Sequence, residues 1–355
     1  MPLPDPREDL GLREGYHSPQ VDVSVRLNTN ESPLPPPPAW LEALSEELKR
    51  IPFNRYPDRN AVGLREAIAR FHGVEPAQVF CANGSNEVLQ SLCLAYGGPG
   101  RNAAVFEPTY ALHAHIAHVT GTRVVEGRRR ADFSLDLSNV AEVLEAAHPS
   151  LTFLCSPNNP TGMAENVATV ESVLDAAPGL VIVDEAYGQF ADWSATDLVS
   201  ESRPLVVTRT FSKTWSMAAA RLGYLLGPEE VVSTLERVAL PYHLDAMKQV
   251  AGRLALEFAP EMEERVGLIV RERRRVMSGL ERLGVTTWPS QSNFVLFRPS
   301  PRKGSEVWQG LLDRSVLVRD TSSWPGLEGC LRVTIGTPAE NDAFLSALEE
   351  VLRVN

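Results

Sequence analysis

A chain of 355 residues with 43% hydrophobic and 22% charged residues has the balance of a soluble globular protein, and its length fits one large plus one small domain. Its formal net charge of −11 argues against a non-specific nucleic-acid binder, and the lack of any apolar run of about 18 residues argues against a membrane span. Four cysteines (Cys81, Cys93, Cys155 and Cys330) without C-x-x-C spacing point away from a metal site or disulfide framework and towards a reducing cytoplasm.

Residues 1–27 are polar and weakly periodic, as expected of an N-terminal arm that packs on something else. Asp5, Glu8 and Asp9 make them a poor secretion signal. The Pro35–Pro38 run predicts a stiff strut before a helix from about Ala39. From about residue 80 the chain alternates apolar strand, loop and helix. Strands are predicted at Ala103–Phe106, Leu151–Leu154, Leu180–Val183, Leu205–Thr208 and Leu222–Leu226. All are short and apolar on both faces, as a sheet covered by helices on both sides requires. Helical patterns at about Glu87–Tyr96, Val140–Ala147 and Val167–Ala176 supply the crossovers of a mainly parallel sheet. After Pro241 long helices run to Leu283, followed by strand-like Phe294–Phe297 and Leu331–Ile335 and a closing helix to Val354. The expected fold class is α/β. A large domain at 28–240 carries a mainly parallel mixed sheet sandwiched by helices, and a smaller α+β domain spans 241–355. The first part of the large domain, to about residue 60, could pack with the small one.

Ligands of open α/β sheets bind beyond the carboxyl ends of the strands. Three motifs stand at such ends: Cys-Ser-Pro-Asn-Asn-Pro-Thr-Gly (155–162), Asp-Glu-Ala-Tyr (184–187) and Thr210–Lys213. Their amide, carboxylate, phenol and amine, joined by the Arg221 guanidinium, form the set that a pyridoxal 5'-phosphate site needs. Asp184 would sit against the pyridine nitrogen and keep it protonated; alone, an acid there could simply cap a helix. Lys213 is the candidate Schiff-base lysine and proton carrier. Gly84, Ser85 and Asn86 open a helix whose N–H groups can face a phosphate, with Arg221 and the hydroxyls of Thr210 and Ser212 closing the cup. Tyr110 could stack on the ring or be an ordinary core tyrosine. Asn159 and Tyr187 can bond the ring hydroxyl. His113, His115 and His118 lack the i, i+4 spacing of a helical zinc site, so no metal is expected.

These motifs resemble those of the class I/II aminotransferases of fold type I. Within that group the chain is most similar to the histidinol-phosphate branch, through Leu27-Asn28-Thr29-Asn30-Glu31-Ser32-Pro33, Asn54-Arg55-Tyr56-Pro57-Asp58, Ser292-Asn293-Phe294 and Leu331-Arg332-Val333-Thr334-Ile335-Gly336-Thr337. The resemblance covers almost the whole chain. It implies transfer of an amino group from histidinol phosphate to 2-oxoglutarate, in a homodimer with shared active sites. By the same resemblance Arg332 grips the carboxylate of the acid, and Arg319 and Tyr16 help hold the substrate phosphate. Asn30 lines the substrate side, Tyr56 reaches the cofactor phosphate of the neighbouring subunit, and His17 adjoins Tyr16. Trp215 and Trp324 depart from the family pattern. If they border the site they would favour an aromatic amino acid such as phenylalanine; otherwise they simply pack. A decarboxylase of the same family and a non-catalytic cofactor-binding regulator are the remaining alternatives. Nothing leads from a strand into G-x-G-x-x-G, which disfavours a nicotinamide dehydrogenase.

Overall fold

Short strands with apolar residues on both faces pair into one sheet in the computed structural model, which describes residues 21–353 together with Leu3 and Asp5. In chain order the strands are β1 (Val25–Leu27), β2 (Val79–Ala82), β3 (Asn102–Glu107), β4 (Arg123–Arg128), β5 (Leu151–Cys155), β6 (Leu180–Asp184), β7 (Leu205–Thr210) and β8 (Gly223–Leu226). All but β1 form a seven-stranded sheet in the order β2-β8-β7-β6-β5-β3-β4. The pairs from β4 through to β7 are parallel, and β8 runs antiparallel to both of its neighbours.

The two-residue period of a strand divides the core between the two faces. Leu151, Phe153, Ile182 and Val206 face one cluster, beneath α3 (Ser85–Tyr96), α4 (Leu112–Val119) and α7 (Glu229–Val238). Leu154, Val181, Val183, Leu205 and Val207 face the other, beneath α5 (Leu137–Ala147) and α6 (Val167–Ala176). A third cluster joins α1 (Pro38–Leu48), α2 (Val62–His72) and α8 (Ala246–Glu257) to the outer end of the sheet. Local chemistry sets several helix ends. The Asn166 side chain accepts the Thr169 N–H at the start of α6, and Gly73, with φ of 68°, ends α2.

The 24-residue α9 (Ala259–Arg282) leads into a second sheet. It contains β9 (Thr286–Thr287), β10 (Phe294–Arg298), β11 (Val316–Asp320) and β12 (Leu331–Thr334), in the order β1-β11-β12-β10-β9. Helices α9, α10 (Gly304–Leu312) and α11 (Pro338–Arg353) cover it through Ile269, Val307 and Phe344. Residues 25–27, which the sequence placed in an arm, pair in parallel with β11 and become an edge strand of this smaller sheet. That pairing carries the following residues, 28–32, across to the large sheet.

Candidate active site

Because β5, β6 and β7 are adjacent and parallel, Cys155 pairs with Asp184 and Asp184 with Thr208, two residues before Thr210 ends β7. Their loops converge on a cavity of about 200 Å³. Asn30, Ser85, Asn86, Tyr110, Asn159, Asp184, Tyr187, Thr210, Ser212, Lys213, Arg221 and Arg332 all line it, with Thr29, Cys155 and Ala186. Lys213 and Asp184 therefore share one chamber.

Asp184 is fixed from two directions. Ala186 N–H donates to its Oδ1 at 3.1 Å, and His113 Nε2 lies 2.9 Å from its Oδ2. An ionised carboxylate only accepts, so Nε2 carries the proton in that contact. His113 is fully buried and stacks on Phe153 of β5, with ring centroids 4.9 Å apart. Sequence reading considered this histidine only as a metal ligand. It is the second residue of α4, three positions after Tyr110, and its ring meets Tyr110 edge-on at 5.3 Å.

Lys213 Nζ donates to the Thr29 carbonyl at 3.1 Å. Burial, and then the positive charge of Arg332, lower its amine to about 7, where a large fraction is neutral and nucleophilic at neutral pH. Beside it, Arg221 donates to Ser212 Oγ at 3.1 Å, and Thr210 Oγ1 donates to the same hydroxyl at 3.0 Å. Gly84 precedes α3 with φ of 85°, and a Cβ there would come within 2.9 Å of the Arg221 guanidinium. Glycine thus lets the guanidinium lie against the helix start, where N–H groups and a fixed cation meet. That cradle, the amine and the buried carboxylate are the three features a pyridoxal phosphate requires, so the residues present fit the group.

The five-stranded sheet supplies the opposite wall through Arg332. Arg332 of β12 donates to Asn159 Oδ1 and to the Asn28 carbonyl, and its guanidinium lies 5.0 Å from the Phe294 ring centroid. Arg319 is its direct partner in the β11–β12 register, and both side chains are buried. Tyr110 donates to Asn86 Oδ1 at 3.3 Å. Asn158, the other amide of the motif, is fully buried and bonds Pro108, Thr109 and Thr161, so it braces the loop that presents Asn159.

Tyr56, expected to reach the cofactor phosphate of a neighbouring subunit, is exposed and stacks on Tyr242 at 4.5 Å, and it is not among the residues that line this chain's own cavity. Trp215 packs on Phe71 and Phe211, and Trp324 packs against the cluster of Phe133, Leu296 and Leu327. Neither indole borders the site, so both pack, and the aromatic preference they suggested loses its basis. Tyr16 and His17 lie outside the described residues. His115 and His118 are part-buried on α4, whereas His113 points to Asp184.

The profile of the family described as aminotransferase class I and II matches residues 23–348. This chain belongs to that family and is an enzyme of amino-group transfer. It is 43% identical to the histidinol-phosphate aminotransferase of Corynebacterium diphtheriae, covering 97% of this chain and 96% of that protein. It is 44% identical to the one of Thermobifida fusca, covering 96% of this chain and 94% of the relative. Among solved structures, histidinol-phosphate aminotransferase from Sinorhizobium meliloti in complex with pyridoxal-5'-phosphate superposes with a TM-score of 0.85 at 23% identity, over 93% of this chain and 91% of that one. The enzyme from Clostridium acetobutylicum gives 0.85 at 23%, over 92% and 99%. Both share the fold.

Proposed function

We propose that the chain is a pyridoxal phosphate-dependent aminotransferase that converts histidinol phosphate and 2-oxoglutarate to imidazole acetol phosphate and glutamate, a step of histidine biosynthesis. The observation that carries this reading is one cavity uniting the Lys213 amine, the Asp184 carboxylate, the Arg221 cradle and Arg332. When bound, the cofactor supplies a ring that takes up negative charge from the substrate's α-carbon. Lys213 would hold the cofactor and carry the proton at that carbon, a contribution of about 10²–10⁴-fold. Asp184, oriented by His113, would hold the ring nitrogen. Gly84, Ser85, Asn86, Thr210, Ser212 and Arg221 would take the cofactor phosphate. Asn159 and Tyr187 would serve the ring hydroxyl, and Tyr110 would lie beside the ring.

Arg332 holds the carboxylate of 2-oxoglutarate as a two-pronged donor. Arg319, beside it in register, assists with the substrate phosphate, together with Tyr16 and the substrate-side Asn30. Steady-state comparison of histidinol phosphate with phenylalanine, each with 2-oxoglutarate, tests the assignment. Higher kcat/KM for histidinol phosphate is expected; a preference for phenylalanine would overturn it.

The enzyme works as a homodimer in the cytoplasm, on this reading. Support for the dimer comes from Phe53, Tyr56, Leu240 and Tyr242, large apolar or aromatic side chains exposed to solvent. Tyr56, exposed and outside the lining of its own cavity, would on this reading serve the other copy. Mixing a Lys213→Ala chain with a Tyr56→Phe chain should give hybrids carrying one intact site, and sedimentation should show a dimer. Four free, buried cysteine thiols suit a reducing compartment.

A further inference from the structure

Asn30 makes contacts that substrate contact alone does not explain. It is 2% exposed and sits at φ of 55°, a left-handed backbone that asparagine tolerates better than most residues. Its backbone N–H donates to Thr334 Oγ1 at 3.0 Å, and its carbonyl accepts from Asn293 Nδ2 at 3.1 Å. The Thr334 hydroxyl, having accepted that N–H, donates back to Asn30 Oδ1 at 3.2 Å. The side-chain amide is therefore held one way round, with its oxygen on Thr334 and its nitrogen on Tyr187. Asn30 Nδ2 donates to the Tyr187 hydroxyl oxygen at 2.9 Å.

We infer that Asn30 is a positioning residue for the proton of Tyr187. A hydroxyl that accepts at its oxygen from a fixed N–H has its own proton directed elsewhere, and Tyr187 lines the cavity where the ring hydroxyl of the cofactor would lie. Accepting that bond also makes the phenol a stronger donor, since chains of hydrogen bonds polarise one another. The inference deepens the cofactor reading above and rests on it. Asn30 then acts through Tyr187 on the acidity of the Lys213–cofactor linkage. A stronger donor to the ring oxygen stabilises its negative charge and makes the neighbouring nitrogen easier to deprotonate. Thr334 and Arg332 lie two residues apart on β12 and so share one face of it. The same strand thereby orients Tyr187 through Asn30 and contacts Asn159 through Arg332, so both groups assigned to the ring hydroxyl are set from the small domain.

The test is the pH midpoint at which the visible absorbance band of the cofactor-loaded protein changes form, measured without substrate. Asn30→Gly removes the amide while permitting the positive φ, so the backbone turn survives. Asn30→Asp keeps the shape but can only accept, and would draw the Tyr187 proton towards itself. Each variant should raise the midpoint, by roughly half a unit to one unit for a lost hydrogen bond. The Asn30→Gly shift should disappear in a Tyr187→Phe background, because it acts through that one hydroxyl, whereas Asn30→Asp, whose charge also acts on the linkage directly, should keep only part of its shift. Midpoints equal to the parent's in both variants would overturn the inference, as would shifts that persist undiminished without the Tyr187 hydroxyl. A parent protein that binds pyridoxal phosphate without any titrating band would instead sink the cofactor reading itself.

Discussion

Asp184 and Glu185 are sequence neighbours, 1% and 2% exposed, yet they meet very different surroundings. Glu185 accepts from Arg209 at 2.7 and 3.1 Å, from Ser194 Oγ at 2.8 Å and from Ala195 N–H at 2.6 Å. The network continues through Tyr224, whose hydroxyl lies 2.9 Å from His72 Nε2. Burial raises the Tyr224 phenol to about 12, and burial, then the Arg209 charge, lowers His72 to about 3, so neither changes charge near neutral pH. Asp184 instead shares its cavity with a lysine amine held by one backbone carbonyl. Side by side in sequence, Glu185 is enclosed by donors of its own protein while Asp184, at the end of β6, lines a cavity. Burial alone does not mark a functional acid; what matters is whether the protein itself uses up its hydrogen bonds.

The largest effect expected on the ligand-facing side is that of Lys213→Ala. Amino transfer with histidinol phosphate and 2-oxoglutarate should disappear, along with the visible cofactor band, while urea unfolding shows a fold at least as stable as the parent's. Retained turnover would remove the lysine from the chemistry and with it the distinction between the two carboxylates.

The clamp should respond in the opposite way. Arg209→Met leaves Glu185 buried without its cation, a change that costs about 3–5 kcal/mol for a buried pair broken on one side. Urea midpoints should fall accordingly, while kcat/KM per folded molecule stays within a few-fold of the parent. A variant of normal stability but poor turnover would place Glu185 and Arg209 in the reaction and erase the contrast.

Much of this division was legible in the chain before its folding was known. The doubly apolar runs ending at Leu154, Val183 and Thr208 placed three motifs at strand ends, and β5, β6 and β7 are adjacent as that reading required. The edge strand β4 escaped notice because Arg123–Arg128 is largely polar and its outer side is solvated. Strand β1 was hidden because three residues carry no period, and only pairing with β11, nearly three hundred positions away, makes them a strand. His113 was missed for a related reason. Its partner stands on β6, and no local pattern tells that α4 delivers a ring beneath that strand. Glu185 was passed over because its neighbour's role gave no hint of which carboxylate would turn inward to Arg209.

His113 tests how far the saturated and ligand-facing regions differ in degree. His113→Phe preserves the stacking on Phe153 but removes the Nε2 donor, leaving Asp184 Oδ1 with the Ala186 N–H. A hydrogen bond to a charged group is worth about 1.5–3 kcal/mol, so kcat should fall roughly ten- to hundredfold. The loss should exceed that of the clamp variant while the drop in stability is smaller. Parental kcat would show that Asp184 needs no second support.

The smallest and most specific effect concerns protonation of Lys213 in the cofactor-free protein. Its amine sits near 7 when folded and at its ordinary 10.5 when unfolded, lowered first by burial and then by Arg332. Between those values the unfolded chain binds a proton that the folded chain does not, so the lysine's contribution to stability rises with pH. Below about 7 both states are protonated, and the full cost of a charged amine in a cationic cavity is present. Lys213→Met abolishes this term. The apoprotein variant should therefore be more stable than the parent below pH 7, and the gap between their urea midpoints should close towards pH 10.5. The clamp variant Arg209→Met should show no such pH-dependent closure, because His72 and Tyr224 titrate outside that window. A Lys213→Met gap that widens with pH would mean that the amine is stabilised in its charged form, by acceptors the cavity walls supply, and that the ligand-facing region is as self-satisfied as the clamp.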